Sequence, residues 1–179
     1  MQDTSIPAST TIEFRRASNA DSAVAQDIVG EALGDYGLGL LLDTSDKDLL
    51  DIEAHYEGRG GAFELIHLVE DRDAPTPRPV GVLGWRPGID GTLELKKVYL
   101  RRAARGRGIG RVAVERVIDR ARALGSRAIV LETTNAMTGA IRLYTSLGFR
   151  RVTGEEAGSF ANLSPECEQA FRLDLVRET

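Results

Sequence analysis

Two hydrophobic periods divide the chain into halves. In the first half, apolar residues mostly alternate with polar ones or form short runs bounded by turn residues, which predicts strands joined in an antiparallel meander. Two segments that do not alternate are predicted as helices, and a glycine-containing stretch at 35–43 is predicted as a loop. The predicted strands cover 11–16, 63–70, 80–86 and 92–100, and the predicted helices cover 21–33, with Asn19 as N-cap, and 45–56.

The second half begins with a helical period. The helix predicted over 108–124 has Ile109, Val112, Ala113, Val117, Ala121 and Leu124 on one face. It is followed by a continuous apolar strand at 127–133, of the kind found in buried parallel sheets. A short helix at 138–147 and two closing strands at 149–153 and 170–176 complete the pattern. The chain is therefore predicted to be a single α/β (α+β) domain with a mixed sheet, preceded by a disordered tail at 1–10.

The alternation within the strand at 92–100 changes phase in its middle. Leu93 and Leu95 share one face, whereas Val98 and Leu100 are apolar with the opposite parity. A β-bulge near Lys96 and Lys97 would return all four side chains to one face, and bulges are common beside active sites. A fully buried strand end would explain the same pattern without a bulge.

Composition and charge exclude several classes of function. Of the 179 residues, 42% are hydrophobic, the net charge is −4 and the pI is about 5.3, which argues against a nucleic-acid-binding protein. One cysteine, Cys167, allows neither an internal disulfide nor a cysteine zinc cluster, and two histidines make a metal site unexpected. No segment has the apolar length of a membrane span, and the N-terminus lacks a signal-peptide pattern. We therefore expect a cytoplasmic protein without metal, nucleic-acid or membrane partners.

The turn between the predicted strand 92–100 and the predicted helix 108–124 carries the most informative chemistry. Its sequence, RRAARGRGIGR, places three glycines and five arginines at residues 101–111. Glycines at a helix start leave backbone N–H groups accessible, and the helix dipole adds positive potential. An anion with several oxygens, such as a pyrophosphate, suits this environment. A solvated basic turn whose glycines serve packing would also fit.

Two other nucleotide-binding motifs fit this turn less well. A dinucleotide-binding fold also has a strand, a glycine turn, a helix and a strand ending in an acid, here Glu132. Its glycines are spaced G-x-G-x-x-G and follow the strand directly, whereas five residues, 101–105, intervene here. The antiparallel meander also differs from a repeated βαβ sheet. A Walker loop is absent from the sequence.

Two motifs at this spacing resemble those of the GCN5-related N-acetyltransferase (GNAT) family. Arg105 to Gly110 (RGRGIG) matches the family's acyl-CoA signature, [Gln/Arg]-x-x-Gly-x-[Gly/Ala], and Leu143 to Phe149 (LYTSLGF) matches its aliphatic-Tyr-x-x-x-Gly-Phe run. The order of predicted elements over 11–176 is also similar. The resemblance implies the GNAT fold for residues 11–177: about seven strands and four helices, with the sheet splayed between the fourth and fifth strands.

The resemblance also implies that the chain binds acetyl-CoA. In the family, backbone amides of the glycine turn hold the pyrophosphate, and the pantetheine arm pairs with the bulged strand. Carried over to this sequence, the turn residues are Arg105, Gly106, Arg107, Gly108, Ile109, Gly110 and Arg111, and the strand residues are Val98, Tyr99 and Leu100. Many members place an asparagine seven residues before the motif tyrosine. Met137 stands there, so Asn135 is a weaker candidate for this contact.

The implied reaction transfers an acetyl group to an amine, which needs a base and an acid. Tyr144 matches the family's general acid and also contacts the cofactor in that role, although a core aromatic would fit its position. Glu94 lies eleven residues before Arg105, as in histone-type members, and Glu132 lies twelve before Tyr144, as in ribosomal-protein N-terminal acetyltransferases. We prefer Glu94 as the base and keep Glu132 as the second candidate.

The acceptor side of the predicted site is acidic and less informative. In the family it is formed by segments equivalent to 34–57 and 154–169, whose many carboxylates suit a cationic amine but are expected mostly on a solvated surface. His55, His67, Trp85 and Cys167 are interpreted as structural. The acceptor is an amine of a small molecule or a protein, and a homodimer is an expectation from the family. A non-catalytic acyl-CoA sensor remains the alternative function.

Overall fold

The computed structural model describes residues 10–69, 78–160, 162–164 and 166–175. Of the predicted tail and strand ends, residues 1–9, Glu70 and Val176 lie outside these ranges. In the described ranges one sheet is formed by β1 (Thr11–Arg16), β2 (Ala62–Val69), β3 (Gly81–Pro87), β4 (Thr92–Leu100), β5 (Ala128–Thr133), β6 (Arg150–Val152) and β7 (Gln169–Asp174). The α-helices are α1 (Ser22–Gly34), α2 (Ile52–His55), α3 (Ile109–Ala123) and α4 (Thr138–Ser146).

The seven strands follow the order β1-β2-β3-β4-β5-β7-β6. Neighbouring strands are antiparallel except β4 and β5, which are parallel. Helix α3 provides the crossover between that parallel pair. The predicted mixed, mostly antiparallel sheet with about seven strands and four helices is confirmed. No helix in the described ranges has the length and apolar character needed to cross a membrane.

Helix α3 packs against one face of the sheet. The side of the helix that is buried differs slightly from the predicted side. Val112 and Leu124 are 40% and 53% exposed, whereas Val114 and Ile118 are buried. The buried stripe follows the i, i+4 row from Ile109 and the row beside it, so Val112 falls past its edge. The predicted C-terminal glycine cap is confirmed, because Gly125 has a left-handed φ of 67°.

The other face of the sheet is covered by α1, α2 and the chain around them. Tyr56 is fully buried there and packs edge-on against Phe63, with ring centroids 5.0 Å apart. Near the start of α1, the capping box joins Ser18 and Asp21. That box caps a 3-10 turn at Asn19–Asp21, and the N-cap of α1 itself is Asp21. The prediction of Asn19 as the N-cap was therefore wrong.

The single helix predicted over 45–56 was wrong. The chain instead forms a 3-10 turn at Lys47–Leu49, the short helix α2, and a second 3-10 turn at Glu57–Arg59. The side chain of Asp51 accepts a hydrogen bond from Ala54 N at 3.1 Å and starts a new turn there. Upstream, Asp46 and Asp48 are buried against Lys97. A regular helix would not bring both of these carboxylates to one lysine, because residues two apart lie on different faces.

Candidate active site

The sheet opens between β4 and β5, as the family resemblance implies. The two strands pair only over Thr92–Glu94 and Ala128–Val130. Beyond Glu94, the edge of β4 that faces β5 pairs with no strand among the described residues. Because parallel neighbours would otherwise satisfy these backbone groups, the divergence leaves donors and acceptors of β4 available to a ligand.

A β-bulge lies in the same part of β4, so that prediction is confirmed. Val82 pairs with Tyr99 and Gly84 pairs with Lys96, which leaves two residues of β4 opposite Leu83 alone. Lys97, one of those two, has a left-handed φ of 51°. Two residues opposite one is the definition of a bulge, and it restores Val98 and Leu100 to the core that contains Leu93 and Leu95.

The first of two neighbouring clefts, named here the glycine cleft, lies between the bulged end of β4, the turn at 101–108 and α4. Its volume is about 1180 Å³ including its open mouth. Among the predicted cofactor residues, Arg107 and Asn135 do not line it. Those that do are Val98, Tyr99, Leu100, Arg105, Gly106, Gly108, Ile109, Gly110, Arg111 and Tyr144.

The backbone at the start of α3 leaves N–H groups without intrahelical partners beside the glycine cleft. Gly108 has a φ of 80°, a left-handed conformation that favours glycine. The first helical hydrogen bond runs from Val112 N to Gly108 O at 3.2 Å, so the preceding N–H groups of the first turn have no intrahelical acceptor. Gly110 serves packing instead, because a Cβ there would lie 3.3 Å from Leu143 Cδ2.

Three of the five arginines in the turn pair with carboxylates of α1 and of Asp35 just after it. Arg101 pairs with Asp27 at 2.6 Å and with Glu31 at 2.5 Å, and Arg102 pairs with Asp35. Arg105 pairs with Asp35 at 2.7 Å, and its Nε donates to Leu100 O at 2.9 Å. These contacts fasten the turn to α1 and to the end of β4.

The remaining cations at the glycine cleft come from two helices. Arg111 lines it from α3, and its guanidinium donates to Ser146 Oγ at 2.8 Å. Arg142 lines it from α4 and was not predicted. Arg142 lies just before the motif that begins at Leu143, so the sequence offered no signal for it.

The second cleft, named here the carboxylate cleft, occupies the gap between the diverging strands and has a volume of about 800 Å³ including its mouth. It is lined by Leu33, Leu38, Ser45, Asp46, Leu95, Lys96, Lys97, Val98, Tyr99, Glu132, Thr133, Thr134, Met137, Ala140, Tyr144, Phe160, Glu166 and Cys167. Cys167, interpreted from sequence as structural, is therefore a wall of this cleft. Burial and the nearby carboxylates of Glu132 and Glu166 raise the pKa of its thiol to about 12, so the thiol stays protonated at neutral pH.

Tyr144 lines both clefts and therefore marks their junction. Its ring is buried and packs against Phe149 and Phe171, with centroid distances of 5.7 and 6.4 Å. Burial raises the pKa of Tyr144 above its ordinary value near 10. The phenol therefore stays protonated throughout the neutral range and is able to donate a proton.

The two candidate bases occupy different environments. Glu132 lines the carboxylate cleft and accepts hydrogen bonds from Ser164 N at 2.9 Å and Ser164 Oγ at 2.5 Å. Glu94 is 5% exposed, accepts from Arg86 Nε at 2.6 Å and lines neither cleft. The structure thus places Glu132 in the wall of the carboxylate cleft and Glu94 in an ion pair with Arg86.

Asn135 is also engaged away from the glycine cleft. Its backbone N–H donates to Glu168 Oε2 at 2.8 Å, and its side-chain oxygen accepts from Gln169 Nε2. Met137, which stands where the family pattern has asparagine, lines both clefts. The wall that would carry an amide is therefore apolar here.

A buried network of charged and polar side chains holds Lys97, a residue of the bulge. Lys97 Nζ lies 2.7 Å from Asp46 Oδ1 and 3.4 Å from Asp48 Oδ1, and Tyr56 Oη donates to Asp48 Oδ2 at 2.5 Å. Burial opposes the charge on Lys97, but the carboxylates of Asp48 and Asp46 outweigh it and raise the lysine pKa. The expectation that the acids of 34–57 are mostly solvated was wrong for Asp46 and Asp48, which are 5% and 4% exposed.

Comparisons with known proteins agree with this geometry. The model of the acetyltransferase (GNAT) family matches residues 43–149. An uncharacterized N-acetyltransferase of Schizosaccharomyces pombe is 31% identical over 124 residues, which cover 69% of this chain and 72% of the relative. The chain belongs to the GNAT family of acetyltransferases.

Other relatives and solved structures extend the comparison. N-acetylaspartate synthetase of Danio rerio is 34% identical over 59% of this chain, which spans only 36% of that protein. A GNAT acetyltransferase from Staphylococcus aureus has a TM-score of 0.81 at 19% identity, over 93% of this chain and all of that one. The phosphinothricin acetyltransferase of Sinorhizobium meliloti, solved with acetyl-CoA, has a TM-score of 0.63 at 20% identity, over 92% and 89% of the two chains. These structures share the fold.

Proposed function

We propose that this protein transfers an acetyl group from acetyl-CoA to a primary amine by direct attack within a ternary complex. The observation that carries the proposal is the meeting of two clefts at Tyr144, one lined by backbone amides and the other by carboxylates. One cleft suits a nucleotide pyrophosphate and its pantetheine arm, and the other suits an amine. The GNAT membership and the N-acetyltransferases among the relatives support the same reaction class.

In the donor half of the site, the chain's own backbone supplies most of the recognition. The pyrophosphate binds the N–H groups at the start of α3, where the helix dipole favours negative charge, with Arg111 and Arg142 at the cleft wall. The pantetheine arm lies along Val98, Tyr99 and Leu100, whose edge has lost its β5 partner. An N–H of this edge stabilises the thioester oxygen as negative charge develops on it.

The acceptor half must first produce a neutral amine. A lysine-like amine has a pKa near 10.4, so it is almost entirely protonated at pH 7 and cannot attack. Glu132, directly or through one water, takes a proton, and the amine nitrogen then bonds to the thioester carbon. As the C–S bond breaks, the leaving sulfur takes the proton of Tyr144. The nitrogen loses its second proton to solvent as the C–S bond breaks, so the products are the neutral amide and CoA with a free thiol. Glu132 then releases its proton to solvent and Tyr144 regains one from solvent, which leaves one proton released overall.

The test is a thiol-release assay with acetyl-CoA and a panel of amines. The panel includes α-amino acids, their amides, polyamines and short peptides with a free N-terminus. The proposal predicts acceptor-dependent CoA release from wild-type protein. Tight acetyl-CoA binding without release by any amine would contradict the transferase and favour the non-catalytic sensor.

A further inference from the structure

We propose that the acceptor carries a carboxylate beside its amine, as a free α-amino acid does, and that Lys96 binds this carboxylate. This inference rests on the proposed acetyltransferase function and narrows its acceptor. Lys96 lines the carboxylate cleft together with Glu132, the group assigned to the amine. The two side chains therefore offer opposite charges to one ligand.

The bulge explains why a cation faces this cleft at all. Lys96 contacts Phe160 and Lys97 contacts Asp46, and both lysines line the carboxylate cleft although they are adjacent in the strand. In a regular strand, neighbours point to opposite faces, so one of the two would have entered the core beside Leu95. The bulge thus delivers two ammonium groups to the same side of β4.

The two lysines differ in their partners. Lys97 is balanced by Asp46 and Asp48 at 2.7 and 3.4 Å. Lys96 makes no ion pair with any described residue, and its ammonium lies 5.5 Å from the centroid of the Phe160 ring. Burial, followed by the charge of Lys97, lowers the pKa of Lys96. The carboxylates of Asp48 and Glu132 partly oppose this shift from a distance. A ligand carboxylate would supply the direct ion pair that the protein gives to Lys97 and not to Lys96.

The other charges of the carboxylate cleft fit the ammonium end of the same ligand. Each carboxylate oxygen of Glu132 accepts one hydrogen bond from Ser164 and keeps a further lone pair for a ligand. Glu166 Oε2 is buried without a hydrogen-bond partner among the described residues. An α-amino acid can meet these acids with its amine while its carboxylate reaches Lys96. A polyamine would instead place a second cation beside Lys96, which is unfavourable in a partly buried cleft.

Leucine and leucinamide are suitable probes, because the cleft also has apolar walls and the two compounds differ only in the charged group. We would measure kcat/KM for both with wild-type protein and with Lys96→Met. The acid-to-amide ratio should fall at least tenfold in Lys96→Met, as expected for losing a charge-assisted hydrogen bond. The intrinsic reactivity of each amine cancels when the two ratios are compared. Lys96→Arg should retain most of the preference.

Lys47→Met is the matched control, since Lys47 is exposed and outside both clefts. It removes the same charge and should leave the acid-to-amide ratio unchanged. Melting curves without ligand verify that each variant folds. An unchanged ratio in Lys96→Met would overturn the inference while leaving the acetyltransferase intact.

Binding measurements separate the remaining outcomes. With CoA-saturated protein, leucine should raise the melting temperature more than leucinamide, and Lys96→Met should abolish that difference. Equal shifts for the two compounds, or no shift with either, would overturn the inference. Absence of acetyl-CoA binding would instead refute the proposed function itself.

Discussion

The glycine cleft and the carboxylate cleft meet at Tyr144 but are built in different ways. The glycine cleft takes more than half of its lining from one stretch, 98–111, and backbone N–H groups of that stretch are its proposed recognition groups. The carboxylate cleft draws on separate segments near residues 46, 96, 132 and 166, and it presents charged side chains. A short motif is enough to specify the first cleft, whereas only the folded chain assembles the second.

Because the two clefts are built differently, we expect different substitutions to damage them. Backbone recognition depends on local conformation, so the positions that matter are those with unusual φ or no room for a side chain. Side-chain recognition depends on charge balance, so the positions that matter are those whose partner would be left buried and unpaired. Four tests, one of them a pair of substitutions, distinguish these two kinds of recognition, and their expected effects decrease in the order given.

Tyr144→Phe tests the junction that both clefts share. The phenol is assigned to protonate the leaving thiolate, so kcat should fall by roughly 10²–10⁴-fold while the KM for acetyl-CoA changes little. Because burial raises the pKa of Tyr144, wild-type kcat should also show no loss as pH passes the ordinary tyrosine pKa near 10. Steady-state kinetics measure both quantities. An unchanged kcat in the variant would remove Tyr144 from the mechanism.

Lys97→Met tests whether the charge network supports the bulge on which the glycine cleft depends. It leaves Asp46 and Asp48 buried without a cation, so the free energy of unfolding should fall by about 3–5 kcal/mol. The KM for acetyl-CoA should also rise as the bulge loosens. Chemical denaturation and steady-state kinetics measure the two effects.

The pH dependence of that loss has a definite sign. The pKa of Lys97 is raised in the folded protein, so its contribution is complete below the unfolded value near 10.4 and is lost as pH rises through the folded value. Wild type and Lys97→Met should therefore differ fully at pH 7 and converge only in strong alkali. Lys47→Met, on the exposed surface, is the control. Equal stability of wild type and Lys97→Met at pH 7 would contradict the supporting role.

Glu132→Gln and Glu94→Gln form a matched pair that sharpens the assignment of the base. Glu132→Gln should lower kcat/KM about 10²-fold with little change in melting temperature, because a base is lost at the cleft. Glu94→Gln should mainly lower stability, by about 2 kcal/mol, because it leaves the Arg86 charge without its carboxylate. If Glu94→Gln lost activity at unchanged stability while Glu132→Gln kept it, the two roles would be reversed.

Gly108→Ala tests the backbone conformation of the glycine cleft. Its φ of 80° costs an alanine about 1–2 kcal/mol, and affinity for acetyl-CoA should fall with the distorted turn. Gly30→Ala is the control, since Gly30 lies inside α1 with nothing within 4 Å of a Cβ. That change should stabilise the protein by roughly 0.5–1 kcal/mol. Full acetyl-CoA affinity in Gly108→Ala would show that the turn tolerates other conformations.

The features that the sequence predicted correctly are those set by neighbouring residues in the chain. The parity change between Leu95 and Val98 located the bulge, and the apolar run at 127–133 identified the parallel strand. Sequence reasoning failed where one segment's conformation is set by a distant partner. Asp46 and Asp48 were interpreted as surface acids in a helix, because nothing near them in sequence reveals that Lys97 neutralises them across about fifty residues.

For the candidate site, too, the residues of a local motif were predicted and the residues contributed by separate segments were not. The residues of the acyl-CoA signature were predicted as a group, and apart from Arg107 they line the glycine cleft. Lys96, Phe160 and Glu166 were missed as residues of the second cleft, because each belongs to a different segment and has no motif of its own. Spacing alone fits both Glu94 and Glu132 and led us to prefer Glu94, whereas the proposal of Glu132 as the base rests on its place in the carboxylate cleft.

The most direct test is the melting temperature with and without acetyl-CoA, with NAD as the control. A ligand at 100 times its Kd adds about 2.7 kcal/mol, which for a chain of this length should raise Tm by roughly 5–10 °C. We predict that rise with acetyl-CoA and none with NAD. A folded protein that shows no shift with acetyl-CoA would contradict the assignment of the glycine cleft, and the catalytic roles of Tyr144 and Glu132 would fall with it.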